Sequence, residues 1–303
     1  MKRGYNSQAK VTAVAAHLAL MPRSGITWAI CLEYDFERMV MDLPVNQFKR
    51  ALASARTPIG AWLVSAAPST AEALGCVGFD FLVVDMEHTP IDMQQLVGIL
   101  QAIAGTPAQA IVRPPWNDMV MVKRVLDAGA QSLLLPFVQN ADEAKRAVAF
   151  TRYPPAGVRG VAAAHRGSRY GTVPNYIQRA HEEICVIVQI ETPVAFAQLE
   201  AIAAVPGVDS IFIGPNDLAA SMGHPGDMDN PAVQDKLRAG AQTCKRLGKP
   251  CGIVGANPEV VGKFLDYGFS WVAVGSDLAM MASRAQEFLG TVRKTVDGAQ
   301  SSP

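Results

Sequence analysis

From Pro58 to the C-terminal region, eight short apolar runs alternate with eight helix-like stretches. The runs are Ile59–Val64, Phe81–Asp85, Ala110–Val112, Ser132–Phe137, Cys185–Ile190, Ser210–Ile213, Gly252–Val254 and Trp271–Val274. They are apolar at consecutive positions, as strands buried on both faces are, so they point to a parallel sheet. Helical patterns fill the gaps at Thr70–Val77, Met93–Ala104, Met119–Ala128, Ala141–Thr151, Val194–Ala204, Ala232–Leu247, Pro258–Tyr267 and Leu278–Val292. Gly78, Gly129, Gly248 and Gly268 follow several of them in the manner of C-terminal caps. Eight such units predict a (β/α)8 TIM barrel. A doubly wound open sheet is the competitor, but no GxGxxG follows the first strand.

Half of the 303 residues are apolar, enough for one large core. Lys+Arg and Asp+Glu both total 27, so no charge excess points to nucleic acid or an anionic membrane. No apolar run reaches the roughly 18 residues that span a bilayer. Five cysteines without a CxxC pair suggest a reducing, cytoplasmic setting. Residues 11–21 follow Lys2, Arg3 and Lys10 in the manner of a weak signal peptide, but His17 interrupts them and no small-x-small cleavage site follows. We expect residues 1–40 to lie outside the folded domain and residues 41–303 to form it, with Met41 as a natural start and Asn46 capping a first helix that reaches Ala55.

In such a barrel the chemistry lies at the C-terminal ends of the strands. Strand two ends in Asp85, Glu87 and His88 before Pro90, strand three in Arg113, strand five in Gln189 and Glu191, strand six in Gly214, Pro215, Asn216 and Asp217, strand eight in Asp277. Glu191 and Asp217 are the leading metal ligands. Without a Cys/His set, two carboxylates suit Mg²⁺ or Mn²⁺. Each could instead cap the helix that follows it. The acids of strand two could likewise cap the helix after Ile91. Arg113 could bind a substrate carboxylate or pair structurally with Asp85 or Glu87. His88 is the obvious general base. His165, beside Arg166 and Arg169, is ambiguous. No lysine lies in a strand to form a Schiff base. The long connection from Phe137 to Cys185 is expected near the catalytic face or against a neighbouring subunit.

Assembled, these residues resemble the HpcH/HpaI aldolase family of metal-dependent pyruvate aldolases. The matching motifs are Asp85-x-Glu87-His88-x-Pro90, Val112-Arg113-Pro114 with Trp116-Asn117-Asp118, Arg152 to Gly160, Val188 to Glu191, Phe212 to Leu218 and Val272 to Asp277. They run in order from about Met41 to the C-terminal helix. The resemblance implies that Glu191 and Asp217 bind a divalent metal, Mg²⁺ or Mn²⁺ foremost and Co²⁺ or Zn²⁺ as alternatives. The metal would chelate the keto and carboxylate oxygens of pyruvate. Gln189 and the backbone around Gly214, Pro215 and Asn216 would hold the substrate. Arg113 would stabilise the enolate, His88 would be the base, and Asp127 would pair with His88. Trp62 would line the pocket, and Val254 and Asn216 would face the aldehyde. Asp85 and Glu87 would order metal-bound water and hold the His88 loop.

The implied reaction is reversible retro-aldol cleavage of a 4-hydroxy-2-oxo acid, of the 4-hydroxy-2-oxoheptanedioate or 2-dehydro-3-deoxyglucarate type, to pyruvate and an aldehyde. Met86 departs from the glycine common at its position, which would stiffen the strand-two loop. Both substrates carry a distal carboxylate, for which Arg166 or Arg169, from this chain or a neighbouring subunit, are candidates. The implied assembly is a homohexamer with the C-terminal helix packed on a neighbour. Two rival readings are a citryl-CoA-type lyase on the same scaffold and a non-catalytic oligomeric binding barrel.

Overall fold

A computed structural model of the chain describes residues 41–300, with side chains to residue 297. The expectation that residues 1–40 stand apart from the domain lies outside the described residues.

Eight parallel strands close into one barrel in chain order. They are β1 (Ile59–Leu63), β2 (Phe81–Asp85), β3 (Gln109–Arg113), β4 (Ser132–Leu135), β5 (Cys185–Ile190), β6 (Ser210–Ile213), β7 (Cys251–Gly255) and β8 (Trp271–Ser276). Strand β8 pairs back onto β1, so no edge is left open. The expected (β/α)8 barrel is the fold. Around it stand α1 (Gln47–Leu52), α2 (Pro68–Val77), α3 (Met93–Ala104), α4 (Met119–Asp127), α5 (Ala141–Thr151), α6 (Tyr176–Arg179), α7 (Pro193–Ala197), α8 (Leu199–Ala203), α9 (Pro215–Ser221), α10 (Pro231–Arg246), α11 (Pro258–Tyr267) and α12 (Asp277–Gln300).

The continuous apolar runs are explained by two cores. On β2, Phe81 and Val83 point into the barrel while Leu82 and Val84 face the helices, and all four are fully buried. The barrel interior is packed by aromatic rings. Phe81 and Trp271 meet edge to face with centroids 5.4 Å apart, and Phe212 lies 5.4 Å from Trp271. Room for the Trp271 ring comes from Gly252, where an added Cβ would sit 2.1 Å from it. Helix α1 closes the N-terminal end of the barrel. Its Phe48 meets Phe81 at 5.1 Å, and Asn46 caps it by accepting from the Lys49 amide, as expected. Removing the fully buried Trp271 side chain would cost about 3–5 kcal/mol.

Three local expectations change. The helix expected over 194–204 is two, α7 and α8. The Gln198 amide bonds back to Ala195, which tightens and ends the first turn set before α8 restarts. The first helix stops at Leu52. Helix α12 runs past Val292 to Gln300.

Candidate active site

The C-terminal strand ends surround a cavity of about 720 Å³. Trp62, Asp85, His88, Arg113, Gln189, Gly214, Pro215, Asn216, Asp217 and Val254 all line it. Ten of the expected site residues thus converge at one mouth. Parallel strands ending on one rim are what bring them together.

The firmest feature is the contact between β2 and β3. Asp85 and Arg113 are register partners. Arg113 donates from Nε to Asp85 Oδ1 at 2.9 Å and from Nη2 to Oδ2 at 2.7 Å. Its Nη1 lies 2.9 Å from Glu87 Oε2. That contact is charge against charge, since Glu87 Oε2 accepts no aligned hydrogen bond. The guanidinium also sits 5.4 Å over the Trp62 ring. Asp85 in turn accepts from the Glu87 and His88 amides, which shapes the His88 loop. The acids of strand two do not cap the following helix. Asp92 does, in a capping box with Gln95.

Glu191 is buried, with 3 % of its surface exposed. It does not cap α7 either. Thr192 takes that place, accepting from the Ala195 amide at 3.1 Å. Glu191 Oε1 instead accepts from the Phe137 amide at 2.7 Å, and Oε2 from the Gln189 side chain. Phe137 holds a positive φ of 54°, a conformation that turns its amide toward the carboxylate. Asp217 lies in the first turn of α9, where the helix N-terminus favours a negative charge.

Burial pushes the Glu191 carboxyl up to about 7, opposed by the Gln189 hydrogen bond and reinforced by Asp217 and Glu87. Burial also raises Glu87 to about 7. Arg113 acts against this shift, and Asp85 and Asp217 add to it. Four carboxylates, Asp85, Glu87, Glu191 and Asp217, therefore gather around a single committed guanidinium. A divalent cation would relieve their repulsion, and the donors present fit one. Gln189 Oε1 is buried without a partner. Gly214 leaves a hollow beside the acid, for a Cβ there would lie 3.0 Å from Glu191 Oε2. Among the described residues no three His, Cys, Asp or Glu side chains cluster as a self-sufficient metal site. Glu191 and Asp217 would thus share a cation with water and substrate oxygens.

Asp127 is not brought to His88 within the chain. Strand β3 runs up to Arg113 and α4 runs back down, so Asp127 ends at the N-terminal face of the barrel, just before β4. There Asp127 Oδ1 pairs with the fully buried Arg159 at 2.7 Å and lies 3.7 Å from His165. His88 instead has Glu87 at 3.8 Å and is largely exposed. The connection after β4 descends too. Arg166 donates to the Ala128 and Leu100 carbonyls, at the end of the barrel opposite the cavity. Arg166 and Arg169 therefore cannot reach this chain's own cavity. Asp277 is structural. Its carboxylate accepts from the Val64 and Ser65 amides at 2.9 and 3.1 Å, tying the loop after β1 to α12. Sequence reasoning missed the Phe137 amide, because a backbone donor leaves no mark in side-chain pattern. It also missed Lys263, which lines the cavity from an otherwise ordinary helix.

A profile of the HpcH/HpaI aldolase/citrate lyase family matches residues 58–283. The chain is 53% identical over 232 residues to a 2-dehydro-3,6-dideoxy-6-sulfogluconate aldolase of Pseudomonas putida, covering 77% of this chain and 91% of that one. It is 45% identical over 249 residues to a 5-keto-4-deoxy-D-glucarate aldolase of Salmonella arizonae, covering 82% and 97%. Among solved structures, a HpcH/HpaI aldolase/citrate lyase family protein from Burkholderia cenocepacia superposes with a TM-score of 0.80 at 36% identity, covering 82% of this chain and all of that one. With the barrel and the strand-end residues in place, the chain belongs to the HpcH/HpaI aldolase/citrate lyase family.

Proposed function

We propose that this carbon–carbon lyase cleaves a 4-hydroxy-2-oxo acid with a distal anionic group, reversibly, to pyruvate and an aldehyde. The observation that carries this reading is the meeting of Asp217, Gln189, Arg113 and His88 at one cavity, with the Glu191 carboxylate buried against Gln189 and Gly214. The family implies a divalent metal in general. The donors are all oxygen, so Mg²⁺ or Mn²⁺, held by Glu191 and Asp217, is the cation of this reading. Bound there, it supplies Lewis-acid charge to the enolate that cleavage leaves behind. Gln189 and the turn from Gly214 to Asn216 hold the oxo acid end. Arg113, rigid in its fork with Asp85, presents a fixed positive charge to the developing oxyanion. His88 takes the proton of the 4-hydroxyl, and the O–H electrons form the aldehyde C4=O as C3–C4 breaks. The C3–C4 electrons form the C2=C3 bond of the pyruvate enolate, and the proton is returned to C3 to give pyruvate.

Asp127 could serve His88 only from a second copy of the chain. The exposed apolar residues of α12 (Met281, Phe288, Leu289 and Val292) support an assembly, of which a homohexamer is our reading. The test is pyruvate release from 4-hydroxy-2-oxoheptanedioate and 2-dehydro-3-deoxyglucarate before and after chelation. Loss on chelation and recovery with Mg²⁺ or Mn²⁺ is expected. Undiminished activity after thorough chelation would reject the metal-dependent mechanism.

A further inference from the structure

The proposed substrate has a charge at each end, and the inference drawn here rests on that reading. Arg113 and Lys263 are the arginine and lysine side chains among the described residues that line the cavity. Arg113 is committed, with Asp85 on two nitrogens and Glu87 on the third. Lys263 stands differently. It lies on α11, which follows β7, so it is on the side of the mouth that holds Val254, Ala256 and Ser276. That side is across the barrel from β3 and its Arg113. Its ion pair is with Asp229 at 3.9 Å, beyond hydrogen-bond length, and the two side chains are 44% and 94% exposed. So long and wet a pair contributes little, and leaves the ammonium available for a better oxyanion. Val254, Gly255 and Ala256, which line the cavity on the side of Lys263, carry no charge.

We propose that Lys263 binds the distal anionic group of the substrate and so selects the aldehyde partner. A carboxylate and a sulfonate share the chemistry it would recognise, an oxyanion with several acceptor oxygens. The distal group remains on the aldehyde fragment after C3–C4 cleavage, so the contact serves both reaction directions. Asp229 is the counter-charge that Lys263 leaves on binding, and it disfavours anions that fail to displace it.

The test compares aldol addition of pyruvate to three aldehydes, with Mn²⁺ present: succinic semialdehyde, 3-sulfopropanal and uncharged butanal. In Lys263→Met the ratio of kcat/KM for each anionic aldehyde to that for butanal should fall about tenfold, and Lys263→Arg should restore most of it. A fall for one anion alone identifies which of the two the site is built for. Raised salt should narrow the wild-type ratio. An unchanged ratio in Lys263→Met, with butanal still turned over, overturns the role of Lys263 and leaves the aldolase reading standing. Wild-type protein that adds pyruvate to none of the three overturns that reading, and this one with it.

Discussion

Asp85 and Arg113 face each other in register on adjacent strands and close a two-bond fork, Nε to Oδ1 and Nη2 to Oδ2, with both side chains buried. Each fixes the other: the carboxylate holds the guanidinium over Trp62, and the guanidinium offsets the charge of Asp85 inside the mouth.

Removing Asp85 breaks both bonds of the fork and leaves the buried Arg113 with Glu87 as its remaining carboxylate partner. Asp85→Ala should therefore cost about 3–5 kcal/mol in denaturant unfolding. Arg113→Lys keeps the charge but loses the planar fork, so it should unfold earlier and lower kcat more than it raises KM. An Arg113→Lys enzyme with wild-type kcat and stability would show that the fork is incidental.

Gly214 is where metal binding can be separated from folding. A methyl at that position would crowd Glu191 Oε2 and Gln189 Nε2, at 3.0 and 3.1 Å. Gly214→Ala should weaken Mn²⁺ binding about tenfold or more by calorimetry, as should Glu191→Gln, while circular dichroism stays unchanged. Wild-type Mn²⁺ affinity in both variants would remove these residues from the cation site.

The Glu191 carboxyl is raised from 4.5 to about 7, chiefly by burial. The folded, metal-free protein thus holds this proton more tightly than the unfolded chain. Its contribution to stability is full below about pH 4.5 and is lost as pH rises to about 7. The melting temperature of chelated wild-type protein, relative to Glu191→Gln, should fall across that window. Mn²⁺ needs the ionised form, so its affinity should rise over the same range and level off above it. A relative melting temperature that climbs with pH would contradict the burial argument.

At the other face of the barrel, Arg159 is completely buried with Asp127 on Nη2, while its Nε and Nη1 have no hydrogen-bond partner. It stacks 4.5 Å from the Tyr153 ring. Asp127→Ala strands this cation and should destabilise the chain by about 3–5 kcal/mol. Asp127→Asn keeps a hydrogen-bond acceptor and should lose less. Equal stability of Asp127→Ala and wild type, by thermal unfolding, would argue that water replaces the carboxylate.

The barrel was legible because consecutive apolar runs have only one economical burial, and strand ends on one rim followed from parallel order. That rule placed Asp85, His88, Arg113 and Asp217 at the mouth, and it placed Glu191 at the end of β5, where it is buried against Gln189. Whether Arg113 was an ion pair or an anion binder could not be read from spacing, because Asp85 lies on another strand and Glu87 in the loop after it. The register of β2 against β3 decided it, and made Arg113 an ion pair that still faces the cavity. The family resemblance paired Asp127 with His88, and Arg166 was a candidate for the distal carboxylate, yet the return direction of helix α4 and the descent of the connection after β4 carry them to the opposite face. Nothing in the sequence singled out Lys263, and only the packing of α11 beside β7 brings it to the mouth. Sequence pattern thus determined which residues end strands, since burial is written in local periodicity. Tertiary structure alone decided which charges meet, since electrostatic partners are chosen by distance through space.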